Sequence, residues 1–112
     1  MSAISTHVLD TTTGRPAAGM PVTLERQSGG GWHSAGQGVT NQDGRVPDLL
    51  AGSELVAGTY RLIFDTAAYF GVKRQSCFYP QVQVTFSVAD PAQRYHVPLL
   101  LSPFGYSTYR GS

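Results

Sequence analysis

Glycine and proline set the grain of this chain. Thirteen glycines and seven prolines divide its 112 residues into short pieces, and neither residue type lets a long helix propagate. The pieces between are rich in Val, Leu, Phe, Tyr and Thr, which pack well on a pleated surface. Short alternating runs bounded by turn residues predict an all-β sandwich or barrel.

Residues 81–88 alternate most cleanly, with Val82, Val84, Phe86 and Val88 on one face and Gln81, Gln83, Thr85 and Ser87 on the other. Residues 59–65 place Tyr60, Leu62 and Phe64 on one face. A third strand over 21–27 carries Val22 and Leu24 and is expected to pair with 32–38 across Ser28-Gly29-Gly30-Gly31, a flexible hairpin connection. Residues 5–9 form a short first strand, 94–101 a late one and 106–110 a candidate last one. Asn41-Gln42-Asp43-Gly44 reads as a tight turn, with Gly44 free to take positive φ. One helix is expected over 66–73, capped by Asp65 or Thr66 and ended early by Gly71. The reading is one compact domain, residues 1–112, of seven or eight strands and one short helix.

Composition narrows the partners. Hydrophobic residues make up 41% of the chain, enough for a small core, and charged residues only 13%. That charge is about half the share usual in a soluble domain, so other subunits are expected to cover part of the surface. A net charge of +1, with no basic run, argues against nucleic acid or an anionic membrane as main partner. The single cysteine, Cys77, cannot form an internal disulfide. The opening Met1-Ser2-Ala3-Ile4-Ser5-Thr6 lacks a basic, then apolar, leader pattern, and no apolar run reaches membrane-spanning length. A cytoplasmic protein is expected.

Polar residues on apolar strands mark candidate chemistry. In 94–101, Tyr95, Val97, Leu99 and Leu101 form an inward face. The other face mixes Arg94, His96, Pro98 and Leu100, which suggests a second buried surface with His96 in it. By pattern alone the plainer reading stands first: a partly exposed surface histidine. His7 alternates with Val8 on the first strand and by itself also reads as a surface residue. His33, beside the glycine-rich connection, is expected to face solvent. Arg45 follows the turn; it is either a solvated charge or a fixed cation for an oxyanion. The tail, from Pro103 to Ser112, holds Phe104, Tyr106 and Tyr109. Chain ends are usually polar and frayed, so a tail this aromatic is expected to dock.

Other chemistries fail on inspection. No glycine-rich loop leads into a helix in phosphate-binding fashion, and no Gly-x-Ser-x-Gly elbow occurs. Cys77 lies before Phe78-Tyr79-Pro80 and reads as a packing residue rather than a nucleophile. The three histidines lack local metal-ligand spacing, although His7 and His96 could meet in space. No metal and no cofactor is expected.

The motifs then resemble those of the 5-hydroxyisourate hydrolases of the transthyretin-like family. Ser5-Thr6-His7-Val8-Leu9-Asp10 is similar to the family's opening motif, continued by Gly14-Arg15-Pro16-Ala17 and Val22-Thr23-Leu24. Thr40-Asn41-Gln42-Asp43-Gly44-Arg45 resembles its turn. Tyr60-Arg61-Leu62, Phe64-Asp65-Thr66 and Phe78-Tyr79-Pro80 follow. His96-Val97-Pro98-Leu99-Leu100-Leu101-Ser102-Pro103 and Tyr109-Arg110-Gly111-Ser112 complete the resemblance, which covers nearly the whole chain.

That resemblance implies a two-sheet, transthyretin-like β-sandwich with one short helix. It implies a homotetramer, a dimer of dimers, with active sites in a channel between dimers. It implies ring-opening amide hydrolysis of 5-hydroxyisourate to 2-oxo-4-hydroxy-4-carboxy-5-ureidoimidazoline in urate degradation. His7, Arg45 and His96 would be catalytic, with either histidine as the base. Tyr109, Arg110, Gly111 and Ser112 would bind substrate. The alternative is a non-enzymatic carrier that binds an aromatic ligand in the same channel.

Overall fold

The computed structural model describes residues 3–112, so Met1 and Ser2 of the opening stretch lie outside the described residues. The strands are β1 (Ile4–Asp10), β2 (Arg15–Pro16), β3 (Pro21–Ser28), β4 (Gly31–Val39), β5 (Gly58–Phe64), β6 (Val82–Val88), β7 (Tyr95–Ser102) and β8 (Gly105–Thr108), with helix α1 (Thr66–Val72) after β5. Two four-stranded sheets form, in the orders β2-β1-β7-β8 and β4-β3-β5-β6. The fold is an all-β sandwich, as the alternation predicts.

The core lies between the sheets. Ile4 and Val8 of β1 and Val97, Leu99 and Leu101 of β7 face Val22 and Leu24 of β3 and Tyr60, Leu62 and Phe64 of β5, all buried. The pleat puts each second side chain inside. On β6, Val82 and Val88 are buried, but Val84 and Phe86 between them are only half-buried. They line a cleft of about 350 Å³ where the sheets part, with Tyr95, Val97, Thr108 and Arg110 opposite.

The β3–β4 connection is tighter than the flexible link expected. Ser28 pairs with Gly31, leaving a two-residue turn in which Gly29 (φ 60°) and Gly30 (φ 80°) are both left-handed. That is the turn whose twist matches paired strands. Helix α1 begins at Asp65, whose Oδ1 accepts the Ala68 N–H at 3.0 Å. Gly71 does not end it. The stop comes at Arg74, left-handed at φ 57°, where Arg74 N–H donates to Gly71 O and Gln75 N–H to Phe70 O. This is the Schellman arrangement, built on arginine where glycine is usual. The other unanticipated element is β2, a two-residue strand on the edge of β1.

Candidate active site

The site grows from the pairing of β1 with β7. These strands run parallel, with Ser5 beside His96 and His7 beside Pro98. Paired residues in a ladder share a face, so Ser5, His7, Leu9, His96, Pro98 and Leu100 form one outer face. The inner alternates Thr6 and Val8 of β1 and Val97 and Leu99 of β7 are buried. The same chain periodicity that builds the core therefore gathers two histidines outside it.

Arg45 joins from the far edge of β1. Asn41 Oδ1 accepts the N–H groups of Asp43 at 2.9 Å and Arg45 at 3.1 Å, which shapes the turn. Gly44 takes φ 74°, and its carbonyl accepts the Val8 N–H at 2.8 Å. A side chain there would collide with Val8 O. Glycine is thus required for both backbone conformation and close approach. The docked turn sets Arg45 opposite His7 in an isolated antiparallel bridge.

The tail joins from the other side. β8 pairs with β7 from Ser102–Gly105 up to Leu99–Thr108, and the bridge of His96 with Gly111 continues that register without slippage. Gly111 N–H donates to His96 O at 2.8 Å. The register puts Tyr109 and Gly111 on the parity of the outer face, and Thr108 and Arg110 on the inner one. Arg110 accordingly lies over the ring of inward-facing Tyr95, 4.6 Å from its centroid, and donates to Gln93 Oε1 at 3.0 Å. The structure brings His7, Arg45, His96 and Gly111 together, and turns Arg110 away from them. Ser112 is exposed beyond Gly111, and Tyr109 is 59% exposed. The tail is docked by backbone pairing with β7 rather than by its rings, since Phe104, Tyr106 and Tyr109 all stay exposed in the single chain, and regular strand ends at Thr108.

His96 is the best defined of the polar groups. Its Nδ1 lies 2.8 Å from Ser5 Oγ. Burial, then the positive charge of Arg45, then His7 push its pKa below the ordinary value, while a hydrogen bond with the Ser5 backbone pulls the other way. The imidazole is therefore neutral at pH 7 and able to take a proton. His33 is exposed and hydrogen-bonded to Ser28 O at 3.0 Å, away from this face. Cys77 is half-buried. Among the described residues, no three His, Cys, Asp or Glu side chains gather for a metal.

Ser5 is the site residue that strand alternation did not reveal. Its parity with His7 was readable, but its contact with His96, 91 positions away, depends on cross-strand register.

The arrangement has relatives. Mouse 5-hydroxyisourate hydrolase is 47% identical, over 99% of this chain and 96% of that protein. The structure of Klebsiella pneumoniae 5-hydroxyisourate hydrolase superposes with a TM-score of 0.85 at 36% identity, covering 97% of this chain and 92% of that one. Sea bream transthyretin in complex with thyroxine superposes with a TM-score of 0.90 at 32% identity, covering 97% and 94%. The backbone is thus common to a hydrolase and a transthyretin in complex with thyroxine. A family model described as HIUase/Transthyretin matches residues 4–111, which takes in both strands of the histidine face, the Arg45 turn and the docked tail: the chain belongs to the HIUase/transthyretin family.

Proposed function

We propose that this chain hydrolyses 5-hydroxyisourate, opening its six-membered ring to give 2-oxo-4-hydroxy-4-carboxy-5-ureidoimidazoline in urate degradation. The observation that carries the reading is the shared outer face of His7, Arg45 and His96, joined by a β1–β7 ladder and an isolated bridge. Identity to hydrolases supports it: 47% for the mouse protein, and among the superposed structures 36% for the Klebsiella pneumoniae hydrolase against 32% for the transthyretin.

In this reading His96 Nε2 is the general base. It takes a proton from water as the water oxygen bonds to the ring carbonyl carbon. Arg45 stabilises the oxyanion that forms on the carbonyl oxygen. Collapse of the tetrahedral intermediate breaks the C–N bond. A proton returns to the leaving nitrogen from His96 or His7, and the product carries a new carboxylate. Tyr109, Gly111 and Ser112 would meet the substrate from the tail beside the histidine face, while Arg110 braces the tail against Tyr95. The chemistry asks for no metal or cofactor.

The proposal extends to assembly: one domain of residues 1–112 in a cytoplasmic homotetramer, a dimer of dimers whose channel contains the histidine face. Its supports are the apolar Pro98 and Leu100 beside His96 and the 13% charged composition. No helix among the described residues is long and apolar enough to cross a membrane.

The test uses urate oxidase to generate 5-hydroxyisourate in situ and follows its absorbance with and without this protein. Faster decay in proportion to protein added is expected. Unchanged decay together with saturable binding of an aromatic ligand would replace the hydrolase by the carrier reading.

A further inference from the structure

A histidine can serve as base only if one ring nitrogen carries a lone pair and faces the reaction. On a sheet surface the ring has two rotatable bonds and two neutral tautomers, so something must hold it. His96 has a neighbour on each side. Ser5 Oγ meets Nδ1 at 2.8 Å. Opposite, a Cβ on Gly111 would stand 2.5 Å from His96 Cδ2 and 3.2 Å from Cγ, with Pro98 Cγ at 3.3 Å. The glycine backbone therefore fills the space beside the ring, tied down by its N–H donating to His96 O at 2.8 Å.

We propose that Ser5 and Gly111 are positioning residues that hold the His96 imidazole from two sides, Ser5 by accepting the Nδ1 proton and Gly111 by presenting no side chain where the ring must lie. The direction of the Ser5 hydrogen bond follows from the catalytic cycle. When Nε2 takes a proton the ring becomes an imidazolium, and both nitrogens are then donors. A hydroxyl that accepts from Nδ1 keeps its bond through that change. One that donates to Nδ1 loses it. Accepting also reserves Nδ1 for the proton in the neutral ring and leaves the lone pair on Nε2. Gly111 owes its identity to the ring rather than to backbone strain, since no left-handed φ occurs there.

The inference rests on the hydrolase reading for its catalytic consequence, but its structural content can be read without turnover. The ¹⁵N shifts of the His96 ring report the tautomer directly. Wild-type protein at pH 8 is expected to show the Nδ1–H form, and Ser5→Ala a shift toward Nε2–H, which free imidazoles favour. Ser5→Ala is expected to lower kcat about 10- to 100-fold, the size of effect known for loss of the partner that orients a metal-bound histidine, with little change in KM. Ser5→Thr, which keeps the hydroxyl, is expected to recover most of that loss. Gly111→Ala is expected to lower kcat comparably, with circular dichroism unchanged and the His96 ring resonances displaced. Wild-type protein already in the Nε2–H form, or Ser5→Ala with full kcat, would overturn the role of Ser5. Undisturbed His96 resonances in Gly111→Ala would overturn that of Gly111. Failure of the wild type to hydrolyse 5-hydroxyisourate would sink the hydrolase reading alone, because the ring shifts would still report the cradle.

Discussion

At the residue scale, the site depends on groups whose value comes from position. Replacing His96 or Arg45 by Ala is expected to lower turnover at least about a hundredfold, since a general base and an oxyanion donor each contribute at least that much. Steady-state assays on variants shown to be folded by circular dichroism check this. The pH dependence has a definite sign. With the neutral imidazole as the proposed base, activity is expected above the His96 pKa and falls as protons bind. Burial and Arg45 hold that pKa below its ordinary 6.5, so the acid limb of kcat/KM is expected below pH 6.5, and it should move upward when Arg45 is replaced by Ala. Stability follows the same direction. The unfolded chain takes up this proton at higher pH than the folded one, so the His96 contribution is lost as pH falls from its ordinary value toward the folded one.

At the element scale, two connections bring site and scaffold together. Asp10, at the end of β1, is fully buried. Its Oδ2 accepts the Tyr69 hydroxyl of α1 at 2.7 Å, and its Oδ1 accepts Thr12 N–H at 2.9 Å. Burial, then Asp10, push the Tyr69 pKa up, so the hydroxyl remains a donor at any physiological pH. Tyr69→Phe leaves a buried carboxylate oxygen short of its donor, and chemical denaturation is expected to show a loss of about 1–3 kcal/mol. The helix end offers the opposite test. Arg74 pays a left-handed backbone penalty that glycine would not. Arg74→Gly is expected to raise stability by about 1 kcal/mol, read as an increase in denaturation midpoint at constant slope.

At the scale of the whole molecule, several large hydrophobic side chains stay exposed on the single chain, Phe78, Phe104 and Tyr109 among them. Leu100 shares the outer face with His96 and is half-buried in the single chain. If that face lines an inter-dimer channel, Leu100→Glu places a charge in the contact and desolvates it on assembly. Sedimentation is expected to give four chain masses for the wild type and a smaller species for Leu100→Glu, with unchanged circular dichroism. A tetrameric variant would remove that face from the interface.

Much of this architecture was legible along the chain. Alternation marked β1, β3, β5, β6 and β7, because burial of one face imposes a period of two on a half-buried strand; β4 was read from its hairpin connection and the two-residue β2 gave no signal. The helix start was narrowed to Asp65 or Thr66, and Asn41–Gly44 was legible as a tight turn, although pattern left Arg45 as either a solvated charge or a fixed cation. Motif resemblance, rather than pattern, singled out His7, Arg45, His96 and the tail; pattern alone left each histidine as a surface residue. What only the tertiary structure decided was register. The parallel pairing of β1 with β7 sets Ser5 against His96, and the uninterrupted β7–β8 register puts Gly111 on the histidine face while turning Arg110 inward. No local propensity encodes either fact, because a shift of one residue preserves every strand's composition yet exchanges its faces. The sequence by itself determined which residues alternate; packing of the two sheets determined which of them meet.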